Sequence, residues 1–124
     1  MNVRYLLCGL LTLLTVPLAA GTADRLTMSV TPTVAFAPAN LFVRTRIEAD
    51  ARNRSIEIIA ESDQFYRSSE IQLDGERAPR TTQVEFRGFP GGVYTVVAVL
   101  RGARAEALGQ VLRQVNVVSS PLSR

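Results

Sequence analysis

The side chains that could do chemistry in this chain are carboxylates, arginines and hydroxyls. It contains no His and no Lys, and Cys8 is its single cysteine. That set excludes imidazole-based triads, His-ligated zinc, cysteine-cluster metal sites and lysine Schiff bases. Acid–base work would then fall to paired carboxylates. Glu57 and Glu61 share strand parity, and Glu61 and Asp63 flank a loop. Neither pair is framed by an apolar pocket that would raise a carboxyl pKa into a useful range. Asp74-Gly75-Glu76 reads as turn chemistry, because a calcium loop needs alternating oxygen ligands around it. Ser68-Ser69 and Ser119-Ser120 have no base nearby in sequence, and Asn53-Arg54-Ser55 fits a glycosylation sequon. The expectation is that the protein is not an enzyme, with no catalytic, cofactor-binding or metal-ligating residues.

The chain begins with the layout of a secretory leader. Arg4 supplies a positive start, residues 5–16 are uncharged and apolar, Pro17 breaks the run, and Leu18-Ala19-Ala20-Gly21 offers small residues for cleavage. The unbroken apolar run falls short of the roughly 20 residues that span a bilayer, so residues 1–20 read as a signal peptide cut after Ala20, with Gly21 or Ala23 as alternatives. Cys8 lies early in that run, not at the end where a lipidated cysteine would follow small residues. The processed protein is expected to be exported, periplasmic or extracellular, with no thiol and no membrane attachment.

Taking residues 1–20 off the 124 leaves 104, with 13 arginines against 11 carboxylates. That is one domain, residues 21–124, with a core over about 26–118, and a charge too mild to favour nucleic acid. With 47% hydrophobic and 20% charged residues in the whole chain, a folded core is expected, not disorder.

From Leu26 onward the apolar period is two, the period of strands. Leu26, Met28 and Val30 alternate with polar residues before Pro32 and Pro38 interrupt, which suggests a broken first strand. Further strands are expected over 41–48, 54–61, around 70–73, over 81–87, 93–101 and 111–118. Residues 103–112 are good helix formers, but Gly109 interrupts them, so they read as a loop and the start of a strand. Seven short strands at regular spacing predict a β-sandwich.

At Phe89-Pro90-Gly91-Gly92-Val93-Tyr94 a Pro/Gly turn is followed by Tyr and an alternating strand. This resembles the tyrosine corner of immunoglobulin-like and fibronectin type III-like domains, and more particularly of their bacterial secreted variants. The resemblance implies that Tyr94 is structural, its hydroxyl bonding nearby backbone. Val43 and Val96 stand where an immunoglobulin disulfide would need Cys, and no Trp marks the third strand. A true antibody-type domain is therefore excluded. The expected core is Leu41, Val43, Ile47, Ile56, Ile58, Ile71, Leu73, Val84, Phe86, Tyr94, Val96, Ala98, Leu100, Val115 and Val117. Each large aliphatic contributes about 1.5–3 kcal/mol when fully buried, which can offset chain entropy without a covalent staple.

Two outward faces remain. Arg44, Arg46 and Glu48 on the second strand and Glu85 and Arg87 on the fifth predict a solvated ladder of opposite charges, with an anionic glycan as a lesser alternative. On the other sheet Ile59, Val93, Val97 and Val99 have outward parity and would lie side by side. Strand propensity or a covering loop would account for them too. The reading is a small protein-binding or structural module, pairing through this face with another protein or with a second copy. The alternative is a subunit of a surface or periplasmic assembly in which residues 26–43 add a strand to a neighbour. A final conflict concerns Arg113, which has inward parity with Val111, Val115 and Val117. A bulge near Arg113, or a strand that begins only at Gln114, would resolve it.

Overall fold

A computed structural model describes residues 25–119. The signal-peptide expectation for 1–20, Cys8 and Ser120 lie outside the described residues. Strand is the regular structure of the described chain, apart from one short 3₁₀ turn at Gly75–Arg77. Eight strands run in order: β1 Leu26–Thr31, β2 Val34–Phe36, β3 Ala39–Ile47, β4 Ser55–Glu61, β5 Tyr66–Gln72, β6 Thr81–Phe89, β7 Gly92–Arg101 and β8 Ala107–Val118. They form a three-stranded sheet ordered β1-β3-β6 and a five-stranded sheet ordered β2-β8-β7-β4-β5. The two sheets enclose one hydrophobic cluster between them, so the molecule is an all-β sandwich.

The count of eight corrects the expected seven. The broken first strand is two strands in different sheets: β1 pairs antiparallel with β3, and β2 pairs parallel with the end of β8. Pro32 and Pro38, which lack a donor for any ladder, bracket the short β2. Strand β5 is longer than the 70–73 expected, and β8 starts four residues before Val111.

Strand β7 is the centre of the larger sheet, paired on one side with β4 and on the other with β8. Its inner row, Tyr94, Val96, Ala98 and Leu100, is sealed against Leu41 and Val43 of the other layer. Two of the expected core residues fall short: Ile71 and Val84 are only partly buried, because each lies on an edge strand, β5 or β6.

Phe89 is fully buried and was not expected to be. Opposite β6, Leu41 pairs with Phe86 but Ala39 pairs with Phe89, so β6 carries one extra residue there. Gly88 adopts φ +73° at this bulge and donates its N–H to Asn40 Oδ1 at 3.1 Å. The bulge reverses the alternation, so Phe86 and Phe89, three residues apart, both face inward. Phe89 then packs against Tyr94 with ring centroids 4.8 Å apart.

The β7–β8 connection holds a non-glycine residue, Ala105, at φ 64°, in a turn closed by Ala105 N–H to the Gly102 carbonyl at 3.0 Å. A Cβ in this left-handed region costs roughly 1 kcal/mol. Ala105→Gly is therefore expected to raise stability by a few tenths to about 1 kcal/mol in urea unfolding, despite the added freedom of the unfolded chain.

Candidate functional site

The outer face of the five-stranded sheet is built by alternation and register. Ile59 of β4 lies opposite Val97 of β7, and Val97 lies opposite Leu112 of β8. These three side chains form one apolar row across three adjacent strands. Ile59 and Val97 are half-buried by their neighbours, whereas Leu112 is 54% exposed. Two rows away, past Thr95 and Gln114, a second apolar group gathers at the β2 edge. Val34 and Val93 flank Asn116 on either side, and Phe36 lies beside Val118. Val34 and Phe36 are among the most exposed large apolar residues of the described chain, at 64% and 65%.

Of the four expected face residues, Ile59 and Val97 are in contact register, and Val93 is outward but separated from them. Val99 is outward by parity yet only 6% exposed, which removes it from the surface. Its row neighbours are Glu57 and Gln110. The Arg101 guanidinium reaches back to Glu57 Oε1, with NH2 at 3.1 Å and Nε at 3.3 Å, so the stems of this ion pair lie over Val99. The sequence reading missed Leu112, Val34, Phe36 and Val118. The alternation Val34-Ala35-Phe36 was the available signal, obscured by the flanking prolines.

The apolar row is rimmed by carboxylates. Glu57 and Glu61 share the face, but Ile59 stands between them, and Glu57 is engaged by Arg101. Glu57 also lies directly opposite Glu70 of β5, a like-charge pair that disfavours the sheet unless countered, as Arg101 counters it. Glu61 and Asp63 line a shallow open depression with Ser62, Val93 and Thr95. Among the described residues no three carboxylates, histidines or cysteines converge as a metal site would require. Ser68 lies opposite Ile59 on the same outer face.

The smaller sheet does not carry the expected charge ladder. Arg44 stands opposite Gln83 and Ser29, Arg46 opposite Thr81 and Thr27, and Glu85 opposite Phe42. The ion pair on this face lies within β6, Arg87 to Glu85 at 3.3 Å. Register decided this, since each arginine landed one row away from a carboxylate.

Asn53 of the sequon is fully buried, its Nδ2 donating to the Glu48 carbonyl at 2.9 Å and its Oδ1 without a partner. A glycan could not be attached to that nitrogen in the folded domain. Nearby, Asp50 accepts from the Arg52 backbone N–H at 2.8 Å, from Arg52 NH2 at 2.8 Å and from Arg25 NH1 at 3.2 Å. The hydrogen bonds from Arg52, helped by the charges of both arginines, hold the Asp50 carboxyl well below the usual carboxylate range.

Tyr94 is buried, and its hydroxyl donates to the Pro90 carbonyl at 2.8 Å, four residues upstream. Desolvation pushes its pKa up, opposed in part by Ser62 and by the charge of Arg67.

No protein-family model and no curated protein matches the sequence. Solved structures resemble it across most of its length. The sulfur carrier protein SoxY from Chlorobium limicola f thiosulfatophilum is 14% identical over 82% of this chain and 88% of its own, with a TM-score of 0.58. A superoxide reductase (neelaredoxin) from Ignicoccus hospitalis is 10% identical over 83% of this chain and 86% of its own, with a TM-score of 0.54. At such identities the likeness shows a shared all-β sandwich. It also corrects the expectation that this is not an enzyme: a superoxide reductase carries the same architecture, so fold gives no ground for that exclusion. Nor does the likeness assign an activity.

Tyr94→Phe is expected to lower stability by about 1 kcal/mol in denaturant unfolding, the worth of one hydrogen bond, with the strand content by circular dichroism unchanged. The Asp50 interactions stabilise the fold above the ordinary carboxylate pKa of about 4 and are lost as pH falls through the lowered folded value. Thermal melts of the wild type should therefore decline below about pH 4, and Asp50→Asn should show a shallower decline over that range.

Proposed function

We propose that the chain is an exported immunoglobulin-like or fibronectin type III-like sandwich that binds another protein through the outer face of its five-stranded sheet. The single observation that carries the reading is the apolar row Ile59–Val97–Leu112, with a second apolar group of Val34, Phe36, Val93 and Val118 on the same sheet two rows away at its edge. Exposed apolar groups clustered on one sheet face of a small domain mark contact sites. The carboxylates Glu57, Glu61 and Glu70 border the row, which favours a partner whose apolar strip is flanked by basic residues.

Three observations support the finer parts of the proposal. The strand order β1-β3-β6 against β8-β7-β4-β5 is the order of such domains when the first strand divides between sheets. The Tyr94 hydroxyl bonded to Pro90 has the geometry of the corner that resemblance implies. The tripartite leader at residues 1–20 supports export.

The test is site-specific photo-cross-linking in the exporting cell. A photoreactive residue at Leu112 or at Phe36 is expected to give one discrete adduct, and one at Ser29 on the opposite sheet to give none. Val97→Glu, which places a charge in the apolar row, should lower the Leu112 adduct by about tenfold, the effect of roughly 1.4 kcal/mol. Equal labelling from all three positions, or none from any in folded protein, would overturn the reading.

A further inference from the structure

Strand β8 has an open edge. Asn116 donates its N–H to Thr33 at 2.8 Å, so even-numbered residues of β8 aim their backbone groups away from β7. Strand β2 covers this side only at residues 116–118. The N–H and C=O groups of Gln110, Leu112 and Gln114 therefore point past its end, along a regular stretch paired to β7 on the other side. Such a row is a template for a further strand.

Arg113 occupies the middle of that stretch. The expected bulge is absent: Arg113 pairs in register with Val96, and the strand runs on to Ala107. Its inward parity does not bury it, although its row-mates Val115 and Val117 are buried and Val111 is packed against the core. It is exposed, and its guanidinium turns back on the open edge to donate from NH1 to the Leu112 carbonyl at 2.8 Å.

The edge is also self-complementary. An antiparallel pairing of two β8 edges about Leu112 sets Leu112 against Leu112 of the second copy and Gln110 against Gln114, aliphatic on aliphatic and amide on amide. In that arrangement the two Arg113 side chains lie diagonally across the seam, like charge beside like charge. We propose that Arg113 closes the open edge of β8 against pairing with a second copy of this chain, by occupying the Leu112 carbonyl and by charge repulsion across the seam. At the opposite edge, β5, Arg67 does related work. It lies over the Phe65 and Phe89 rings and donates to the Arg87 carbonyl at 3.2 Å, joining that edge to β6 of the other layer.

The test is sedimentation velocity of the purified protein at micromolar concentration, with amide hydrogen exchange. The wild type is expected to sediment as a monomer. Its Leu112 and Gln114 amides should exchange at least about tenfold faster than those of Arg113 and Val115, which bond to β7. Arg113→Val is expected to form dimers in which the Leu112 and Gln114 amides become protected. Adding Leu112→Pro, which removes an N–H used by no ladder bond, should return that variant to monomers. A monomeric Arg113→Val protein, association that survives Leu112→Pro, or protected Leu112 and Gln114 amides in the wild type would each overturn the proposal. Should Arg113→Val not fold, Arg113→Thr carries the same test with another strand former.

Discussion

The structure depends on the inner row of β7. Tyr94, Val96, Ala98 and Leu100 are held by ladders on both sides and face the apolar residues of β3 across the sandwich. No cysteine lies among the described residues, so cohesion rests on apolar contact between the layers and on backbone pairing within them. The aromatic group of Phe86, Phe89 and Tyr94 closes one end of this core, with Phe65 packed edge-on against it. A single glycine bulge at Gly88 makes that closure possible by turning Phe89 inward.

The second constraint is unequal width. Three strands cover part of five, so parity alone does not determine burial on the larger sheet. Ile71 at the β5 edge is only partly covered. Arg113 of β8 reaches solvent although it shares parity with Val115. The short β2 also leaves part of the β8 edge uncovered, where backbone groups need some other occupant. Arginine suits that place, because its guanidinium carries charge outward while donating to a nearby carbonyl. Arg67 and Arg113 both do so, at opposite edges of the same sheet.

Charge on the two outer faces follows register in the same way. Arg44 and Arg46 meet Thr, Ser and Gln across their strands, and the carboxylates gather on the other sheet around the apolar row. Arg101 and Glu57 have compatible charges in any fold, but only their diagonal placement makes them the cover that removes Val99 from the surface.

The alternation of Leu41 to Ile47, Ile56 to Ile58 and Tyr94 to Leu100 was legible in the sequence, because a period of two is a local property that needs no partner strand. So were the turn before Tyr94 and the strand, not helix, that follows Gly109. Pairing was not legible. Which strand lies beside which, and in what register, depends on contacts between residues far apart in the chain. Those contacts divided the first strand between two sheets, turned Phe89 inward and placed Leu112 beside Val97. The sequence by itself determined which residues could face a core; the tertiary structure alone decided which faces were covered and which edges stayed open, because the first depends on how far one layer extends over the other and the second on where a neighbouring strand stops.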